Sequence, residues 1–339
     1  MKASFTTAKT VDSISKMNHL RKESVMFVTI GHESEGQRID NFLLHRLKGV
    51  PKSHVYRLLR TGQVRVNKGR ADATRKLCLG DEVRLPPVRQ AATITPPTIT
   101  VAREKSLLSH ILYQDDAIII LDKPAGMAVH GGSGVSFGVI EQLRAELPDC
   151  HFLELAHRLD RETSGALILA RRRSALVKLH DMFRGGQIRK RYLTLVHGHW
   201  QHPVQHVTFA LHKYLDNAGE RRVKVAAEGK PAHTIFRLQQ HWPEFSLLEA
   251  ELKTGRTHQI RVHLAHSGFP IAGDDKYGDF SLNRTLIKQG LKRMFLHARQ
   301  LDLRHPLSDE ILSISAPLPD TLQTFIGELN HANKKQYEE

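Results

Sequence analysis

The sequence predicts an α+β fold, in which a large domain with a mixed, mainly antiparallel sheet follows a small basic module. The 339 residues are 40% hydrophobic, which is enough for one large and one small core. Beyond residue 107, strand-like runs alternate irregularly with amphipathic helical runs, which argues against a repeated strand–helix–strand pattern. The strand candidates at 233–240 and 245–252 are separated by a short loop, which favours antiparallel pairing.

The positive charge of the chain is concentrated near its beginning. The sequence has 50 Lys and Arg residues against 35 Asp and Glu residues, and its net charge is +15. Residues 1–104 contain 19 of the basic and 9 of the acidic side chains, so under a third of the chain contributes +10. This asymmetry excludes an acidic, solvating chain and predicts a polyanionic partner.

The composition favours a cytoplasmic protein without a membrane segment. Two cysteines, Cys78 and Cys150, are too few for a disulfide framework, and the absence of a CxxC pair also indicates a reducing compartment. No apolar run approaches the roughly 20 residues that a membrane span needs, and the first residues lack the apolar core of a signal peptide. A transit peptide is the alternative for these residues, but Asp12 and Glu23 argue against it.

Changes in composition divide the chain into five segments. The beginning and the end are polar and without periodicity, and a stretch rich in Pro and Thr separates the small module from the large domain. We expect a flexible N-terminal tail (1–27), the small module (28–88), a linker (89–104), the large domain (105–326) and a C-terminal tail (327–339).

The small module is predicted to contain two short helices and a tight strand pair. Apolar residues at helical spacing predict a first helix over 39–47, and a second helix begins after Pro51. The tripeptide NKG, which overlaps the end of the alternating run QVRVN, is a turn signal. Two interpretations fit the surplus of basic residues: an RNA-binding unit in which Arg57, Arg60 and Arg65 contact phosphates, or an ordinary surface with solvated arginines.

Three helices are predicted in the large domain. Apolar residues recur at helical spacing in SFGVIEQLRAEL and in SALVKLHDMF. The third helix lies in THQIRVHLAHSG, with Thr257 as its N-cap and Gly268 as its end, and Pro270 follows.

No pattern indicates a metal site, a phosphate-binding loop or acyl transfer. The histidines of HGHWQH have no second cluster of ligands at metal-binding spacing, so we expect no metal. The Gly-rich run HGGSGVSFG lacks the Lys-Ser/Thr pair of a phosphate-binding loop. The sequence also has no G-x-S-x-G motif around a nucleophilic serine.

Two arginine-rich segments have the strongest chemical signal. In AHRLDRETSG, Asp160 is surrounded by one histidine and two arginines. Two interpretations fit: a structural ion pair, or a carboxylate held ready as a nucleophile beside cations that attract a phosphate backbone. In KTGRTHQIRVH, Arg256 and Arg261 are five residues apart, so a helix would not place them on one face, and we expect them to have different functions.

These segments resemble the signature motifs of the RluA-type pseudouridine synthases. HRLDRETSG, KRYLTLVHG and KTGRTHQIRVHLAHSGFPIAGDDKYG carry the resemblance, together with DKPAGMAVHGG, and it extends over residues 28–318. The small module is similar to the αL RNA-binding domain that also occurs in a small-subunit ribosomal protein. The loop HGGSGVSFGVIE resembles the C type of the family, whereas the D type typically has a His-Pro-Gly-x-Gly loop.

The resemblance implies an isomerase that converts specific uridines of 23S ribosomal RNA to pseudouridine without a cofactor. Asp160 matches the catalytic aspartate, and Arg261 matches the basic residue that pairs with it. Tyr192 matches the tyrosine that stacks on the target uracil and takes part in removing its C5 proton. Arg158 matches the arginine that fills the gap left by the flipped nucleotide. Further RNA contacts are expected from Lys123, Arg256, Arg57, Arg60 and Arg65.

The resemblance implies ribosomal RNA as the partner, no obligate protein partner and a monomer. An unperturbed aspartate has a pKa of about 3.9, so Asp160 is ionised at neutral pH without help. We therefore expect Arg261 to orient Asp160 and to make its desolvation tolerable. Without the resemblance, Tyr192 would be interpreted as an ordinary half-buried aromatic residue of a strand.

Two rival functions fit the same sequence. The first is a non-catalytic RNA-binding factor in ribosome assembly, against which the presence of Asp160, Tyr192 and Arg261 argues. The second is a pseudouridine synthase of the D type or one that acts on another RNA. Only the loop at 130–138 favours the C type over this second rival.

Overall fold

The computed structural model divides the chain into two compact units, Met1–Ile99 and Thr100–Glu339. The predicted linker, most of the N-terminal tail and the centre of the Gly-rich loop lie outside the described residues. None of the helices in the described ranges combines the length and the hydropathy that a membrane crossing requires. The structure describes residues 25–31, 33–47, 49–88, 106–131, 137–216 and 219–338, without the side chains of 335–338.

The described part of the first unit is a four-stranded antiparallel sheet covered by two helices. Both predicted helices are confirmed, and the sheet has the strand order β1-β4-β2-β3. The elements are β1 (Met26–Thr29), α1 (Ile39–Arg46), α2 (Lys52–Arg60), β2 (Arg65–Val66), β3 (Gly69–Arg70) and β4 (Glu82–Leu85).

The turn that the NKG tripeptide predicted is confirmed, and it joins β2 to β3. Asn67 and Lys68 have φ values of 50° and 66°, the left-handed conformation that a two-residue type I′ turn requires at both positions. The Asn67 side chain also donates to Asp81 at 2.7 Å and accepts from the Glu82 N–H at 2.8 Å. One face of the sheet then packs on the helices through Val66 and its neighbours.

The second unit contains a ten-stranded sheet and five α-helices within the described residues. A 3₁₀ helix at Leu107–His110 precedes them. The strands are β5 (Ile111–Gln114), β6 (Ile118–Lys123), β7 (Glu154–Leu155), β8 (Ser164–Ala170), β9 (Arg189–His197), β10 (Val204–Val207), β11 (Leu211–Leu215), β12 (Arg221–Val225), β13 (Thr234–His241), β14 (Phe245–Leu252), β15 (Leu296–Arg304) and β16 (Ile311–Ser315). The helices are α3 (Val139–Glu146), α4 (Arg173–Arg184), α5 (Gln259–His266), α6 (Phe280–Lys288) and α7 (Asp320–Glu338).

The large sheet is mixed and mainly antiparallel, as the sequence predicted. Its main path is β10-β13-β14-β9-β15-β8-β6-β5, with β16 paired to β15 and β7 paired to β8. The β13–β14 pair is antiparallel, which confirms the hairpin at 233–252. Only the β15–β8 pair is parallel among the strand pairs of the described residues. β11 and β12 form a separate two-stranded sheet.

Strand β9 lies near the middle of the sheet and separates two hydrophobic clusters. Tyr192 and Val196 belong to one cluster, whereas Leu193 and Leu195 belong to the other. This division follows from the two-residue period of a strand, which sends successive side chains to opposite faces. The alternation places Tyr192 on the face where α5 contributes Ile260.

Two sequence predictions about helix ends are wrong. The C-terminal tail expected from residue 327 is part of α7, because this helix buries Leu322 and Phe325 in a core cluster. Asn330 on the same helix accepts a hydrogen bond from the Trp242 indole at 3.1 Å. The N-cap of α5 is His258 rather than Thr257, with a left-handed φ of 53°.

Candidate active site

A cleft of about 520 Å³ in the second unit brings together the residues that the sequence singled out for chemistry. Loops before β8 and before α5 supply most of its lining, and the rest comes from α4, α5 and the strands β9, β14 and β15. The predicted site residues that line this cleft are Asp160, Tyr192, Arg261, Arg158 and Arg256.

Asp160 lies in the loop between β7 and β8, and 19% of its side chain is exposed. The backbone turns sharply there, since the Thr163 N–H donates to the Asp160 carbonyl at 3.1 Å. Two groups face the Oδ2 atom of the carboxylate: Arg261 Nη1 at 3.7 Å and His258 Nε2 at 3.8 Å. Both contacts involve the same oxygen of the carboxylate.

Arg261 is buried on α5, with 4% of its side chain exposed, and a second aspartate holds it. Its Nε and Nη2 atoms donate to the two oxygens of Asp274 at 2.7 and 2.6 Å. Burial opposes the charge of Arg261, but the hydrogen bonds and charge of Asp274 raise the pKa of the guanidinium above its usual value. Asp274 also accepts from the N–H groups of Lys276 and Tyr277, which fixes its own position.

Tyr192 projects from β9 toward the cleft and is 7% exposed. Burial raises the pKa of its phenol, and the negative charge of Asp160 raises it further. The phenol is therefore neutral at physiological pH. Two residues earlier on the same face, Lys190 also lines the cleft, with its Nζ 5.4 Å from the Phe183 ring centroid.

His258 connects Asp160 to a tyrosine on the far side of its ring. Its Nδ1 atom lies 2.8 Å from the Tyr277 hydroxyl, which accepts a hydrogen bond from the Val223 N–H at 3.0 Å. The same Tyr277 ring lies 5.2 Å from the Arg261 guanidinium carbon, within the range of a cation–π contact. Burial lowers the pKa of the His258 imidazole, although the Asp160 charge opposes this.

Comparison with known proteins identifies the family of this site. A family model described as RNA pseudouridylate synthase matches residues 117–266, and an S4 domain model matches residues 37–83. The Ribosomal large subunit pseudouridine synthase C of Escherichia coli (strain K12) is 50% identical over 315 residues, which cover 91% of this chain and 98% of that protein. The protein of the same name from Haemophilus ducreyi is 48% identical over 307 residues, or 90% of this chain and 96% of that protein.

The chain belongs to the RNA pseudouridylate synthase family.

A solved structure supports the same assignment. Human RNA Pseudouridylate Synthase Domain Containing 4 is 26% identical and superimposes with a TM-score of 0.55, over 66% of this chain and 94% of that one. Members of this family isomerise uridine to pseudouridine in RNA without a cofactor, and this chain is such an enzyme. Among the described residues, no group of three or more His, Cys, Asp or Glu side chains could hold a metal ion.

In this synthase the residues predicted to contact RNA have different environments. Arg158 is exposed at the cleft, and so is Arg256, whose Nε donates to the Pro231 carbonyl at 3.0 Å. In the S4 unit, Arg57 and Arg60 are exposed on α2, as predicted.

Arg65 of the S4 unit belongs to a row of side chains across the sheet. Cross-strand pairing aligns Phe27, Arg84, Arg65 and Arg70 in this order. The four residues share the face that points away from the helices, because Val66 and its partners fill the opposite face. Arg65 therefore lies among other cations on an exposed surface.

Lys123 does not present its ammonium group to RNA, which corrects the sequence prediction. The residue is fully buried, and its Nζ donates to the carbonyls of Pro124, Met127 and Arg161 at 2.6, 2.8 and 3.0 Å. Burial lowers the pKa of this amine to about 7. Its three acceptors leave no hydrogen of the ammonium for a phosphate.

The lysine instead joins the DKPAGMAVHGG segment, the first of the motif segments along the chain, to the loop of Asp160. Two hydrogen bonds between Gly126 and Arg161 complete this connection. The Gly126 N–H donates to the Arg161 carbonyl at 2.9 Å, and Arg161 Nε donates to the Gly126 carbonyl at 2.8 Å. The first motif of the family thus holds the residue that follows Asp160 in the chain.

Three residues around the site were not identified from the sequence: Asp274, His258 and Tyr277. All three lie inside the longest of the motif segments, so a signal existed. Their function could not be assigned, because the contacts of Asp274 and Tyr277 with Arg261 and of His258 with Asp160 depend on the tertiary fold.

Proposed function

We propose that this synthase converts uridines of the 23S RNA of the large ribosomal subunit to pseudouridine, with Asp160 as the catalytic carboxylate. The observation that supports these roles is the meeting of Asp160, Tyr192 and Arg261 on one cleft. The relatives that are about 50% identical to this chain are named after the large ribosomal subunit, which supports 23S RNA as the substrate. Cytoplasmic location is part of the same proposal.

The reaction breaks the bond between the ribose and the ring nitrogen of uracil and joins the ribose to ring carbon 5. The proton on that carbon is lost and the freed ring nitrogen takes up a proton, so the product is an isomer of the substrate and no electron or group is transferred to another molecule. The reaction therefore needs a positioned carboxylate, a surface that holds the freed uracil and a proton acceptor. Asp160 supplies the first, and the nearby charge of Arg261 compensates for the hydration that the carboxylate loses when RNA displaces water from the cleft.

A base inside a duplex or a stack hides the atoms that react, so the target nucleotide must be flipped out, which costs a few kcal/mol. The Tyr192 ring lies beside Asp160 and offers a flat surface for the extruded uracil, a contact worth about 1 to 3 kcal/mol. The exposed side chain of Arg158 at the same cleft is available to fill the gap in the RNA stack.

The remaining cations supply affinity for the RNA backbone. Arg256 lies at the cleft, and Arg57, Arg60 and Arg65 are exposed on the S4 unit. Contacts to phosphates position a protein on nucleic acid, whereas contacts to bases select the sequence. We assign the selection of the target to the cleft and much of the affinity to the S4 unit.

The decisive experiment incubates the purified full chain with protein-free 23S RNA transcribed in vitro and maps pseudouridine along the product. We expect a small number of modified positions with the wild-type protein and none with Asp160→Asn. Modification of a transfer RNA, but not of 23S RNA, would overturn the proposed substrate. Modification of 23S RNA by Asp160→Asn at the wild-type rate would overturn the role of the aspartate.

A further inference from the structure

His258 lies beside the catalytic carboxylate in a backbone conformation that side chains rarely adopt. Its φ of 53° and ψ of 22° lie in the left-handed region, which residues other than Gly uncommonly adopt. The surrounding structure holds this conformation at the first turn of α5, and such strain concentrates at functional sites. The Nε2 atom of the ring is 3.8 Å from Asp160 Oδ2.

The Tyr277 hydroxyl contacts one ring nitrogen of His258, and the direction of that hydrogen bond is linked to the tautomer of the imidazole. The hydroxyl oxygen accepts from the Val223 N–H at 3.0 Å. Within the described residues, its own hydrogen has one acceptor in reach, His258 Nδ1 at 2.8 Å. When Nδ1 accepts, a neutral imidazole carries its hydrogen on Nε2. In this tautomer the nitrogen that faces Asp160 is a hydrogen-bond donor.

We propose that His258 is a positioning residue for the isomerisation: its Nε2–H, directed by Tyr277, donates to Asp160 Oδ2 in the complex with RNA. This inference rests on the proposed role of Asp160. Catalytic hydrogen bonds are often long in a free enzyme and shorten when substrate binds. With Arg261 Nη1 on the same oxygen, the donor fixes the rotation of the carboxylate and directs Oδ1 toward the flipped nucleotide.

The first test compares two amides in place of the ring. His258→Asn tolerates the left-handed backbone, but its amide nitrogen ends at the position of Nδ1 and is too far from Asp160. His258→Gln extends by one carbon and brings an amide N–H close to the position of Nε2. We expect His258→Asn to lower kcat about ten- to a hundred-fold, with KM for RNA little changed. His258→Gln should recover most of that loss.

The assay measures tritium released from RNA that contains [5-³H]uridine, since the C5 hydrogen leaves in the reaction. Circular dichroism and the melting temperature of each variant establish that both fold like the wild type. An unchanged kcat in His258→Asn would overturn the proposal. Equal losses in the Asn and Gln variants would also overturn it, because the N–H donor would then not be the property that matters.

The second test is a double-mutant cycle with Tyr277→Phe. In the wild-type background this change removes the group that fixes the tautomer, and we expect kcat to fall about ten-fold. In the His258→Gln background it should have no further effect, because an amide has no tautomer to direct. The same loss in both backgrounds would show that Tyr277 acts through Arg261 or through folding, and would contradict the proposal.

A spectroscopic measurement determines the tautomer of His258 independently of enzymatic activity. The ¹⁵N chemical shifts of the two ring nitrogens distinguish a protonated from an unprotonated nitrogen, and the His258→Asn spectrum identifies the signals of His258. We expect protonated Nε2 and unprotonated Nδ1 in the wild type, and a mixture in Tyr277→Phe. Hydrogen on Nδ1 in the wild type would overturn the inference.

The proposed function and this inference fail in different ways. If the wild-type protein releases no tritium, or if Asp160→Asn is fully active, the role assigned to Asp160 is wrong whatever His258 does. If the wild type is active and Asp160→Asn is not, the His258 and Tyr277 variants test the positioning role alone.

Discussion

Asp274 binds Arg261 more closely than the catalytic candidate Asp160 does. The two Asp274 contacts are 2.7 and 2.6 Å long, whereas the nearest approach to Asp160 is 3.7 Å. The guanidinium is therefore positioned before substrate arrives, and its third nitrogen is directed to Asp160. Asp274 performs this function from inside the protein, because its side chain is almost completely buried.

We expect Asp274→Asn to damage both activity and stability. The change keeps the shape of the side chain but leaves the buried Arg261 without its main counter-ion, a loss of about 3 kcal/mol in the free energy of unfolding. Arg261 can then turn toward Asp160, so kcat should fall about ten- to a hundred-fold. Chemical denaturation and the tritium-release assay measure the two effects separately.

Asp275→Asn is the matched control for this change. Asp275 lies 3.2 Å from the same guanidinium, but 68% of its side chain is exposed. Exposed pairs contribute little, so this variant should lose less than about 1 kcal/mol and retain its activity. If the two variants behave alike, Arg261 is not held chiefly by Asp274.

The elements of this fold were predictable where local chemistry determines them. The left-handed turn at Asn67 and Lys68 and the antiparallel pair β13–β14 follow from turn residues and a short loop. The end of α7 was not predictable from its own polar sequence. Leu322, Phe325 and Leu329 recur at helical spacing and pack on a distant part of the chain, whereas the residues after Leu329 are mostly polar and show no apolar periodicity.

The site was predictable as a set of residue types but not as a set of contacts. Motif segments identified Asp160, Tyr192 and Arg261, and all three line one cleft. Lys123 resembled an RNA-binding residue because a sequence does not show the three carbonyls that surround its amine. The pairing of Arg261 with Asp274 was equally hidden, since these residues are on different elements.

Variants of Tyr192 separate stacking from proton transfer. Burial raises the pKa of the phenol, so the ring is neutral over the physiological pH range and offers the uracil an uncharged face. Tyr192→Phe keeps this face and should bind target RNA with the affinity of the wild type. Tyr192→Ala removes it and should lose about 1 to 3 kcal/mol of binding free energy. Fluorescence anisotropy with a labelled RNA fragment measures both affinities.

The turnover rate of Tyr192→Phe then tests whether the Tyr192 hydroxyl takes part in removing the C5 proton. A variant that binds normally but turns over slowly supports participation of the phenol oxygen in removing the C5 proton. Turnover at the wild-type rate would exclude that participation and leave the stacking role intact. Equal binding losses in the Phe and Ala variants would contradict stacking.

The dependence of affinity on salt tests the electrostatic role of the S4 unit. If about six phosphates of single-stranded RNA are neutralised, the logarithm of the affinity should fall with the logarithm of the salt concentration at a slope near −4. The double variant Arg57→Ala/Arg60→Ala should reduce the magnitude of that slope by about 1.4. Titrations at four salt concentrations give the slope for each protein.

A second double variant removes the same charge from another helix. Arg284 and Lys288 are exposed on α6, outside the S4 unit. Their replacement by alanine should leave the slope unchanged. A flat salt response of the wild type, or the same change in both double variants, would contradict a specific contribution of α2.

The acid stability of the large unit should depend on Glu251. Burial opposes the charge of this carboxylate, but hydrogen bonds from Lys253, Arg189 and Arg237 lower its pKa to about 2. A carboxyl whose pKa is lowered in the folded state stabilises the protein fully when the pH is above the pKa of the same group in the unfolded chain, about 4.3. That stabilisation decreases as pH falls below this value and is lost once pH passes through about 2.

Glu251→Gln should therefore destabilise the protein at pH 7 by about 1 to 3 kcal/mol, and the difference from the wild type should shrink as pH falls from 5 toward 2. Urea denaturation of both proteins at several pH values measures this difference in the free energy of unfolding. Glu249→Gln, two residues earlier on the same strand, is the control, since its ion pairs with Arg191 and Arg237 are longer, at 3.8 and 3.5 Å. A difference that stays constant or grows as the solution is acidified would contradict the lowered pKa of Glu251, because a lowered pKa requires the stabilisation to decrease on protonation.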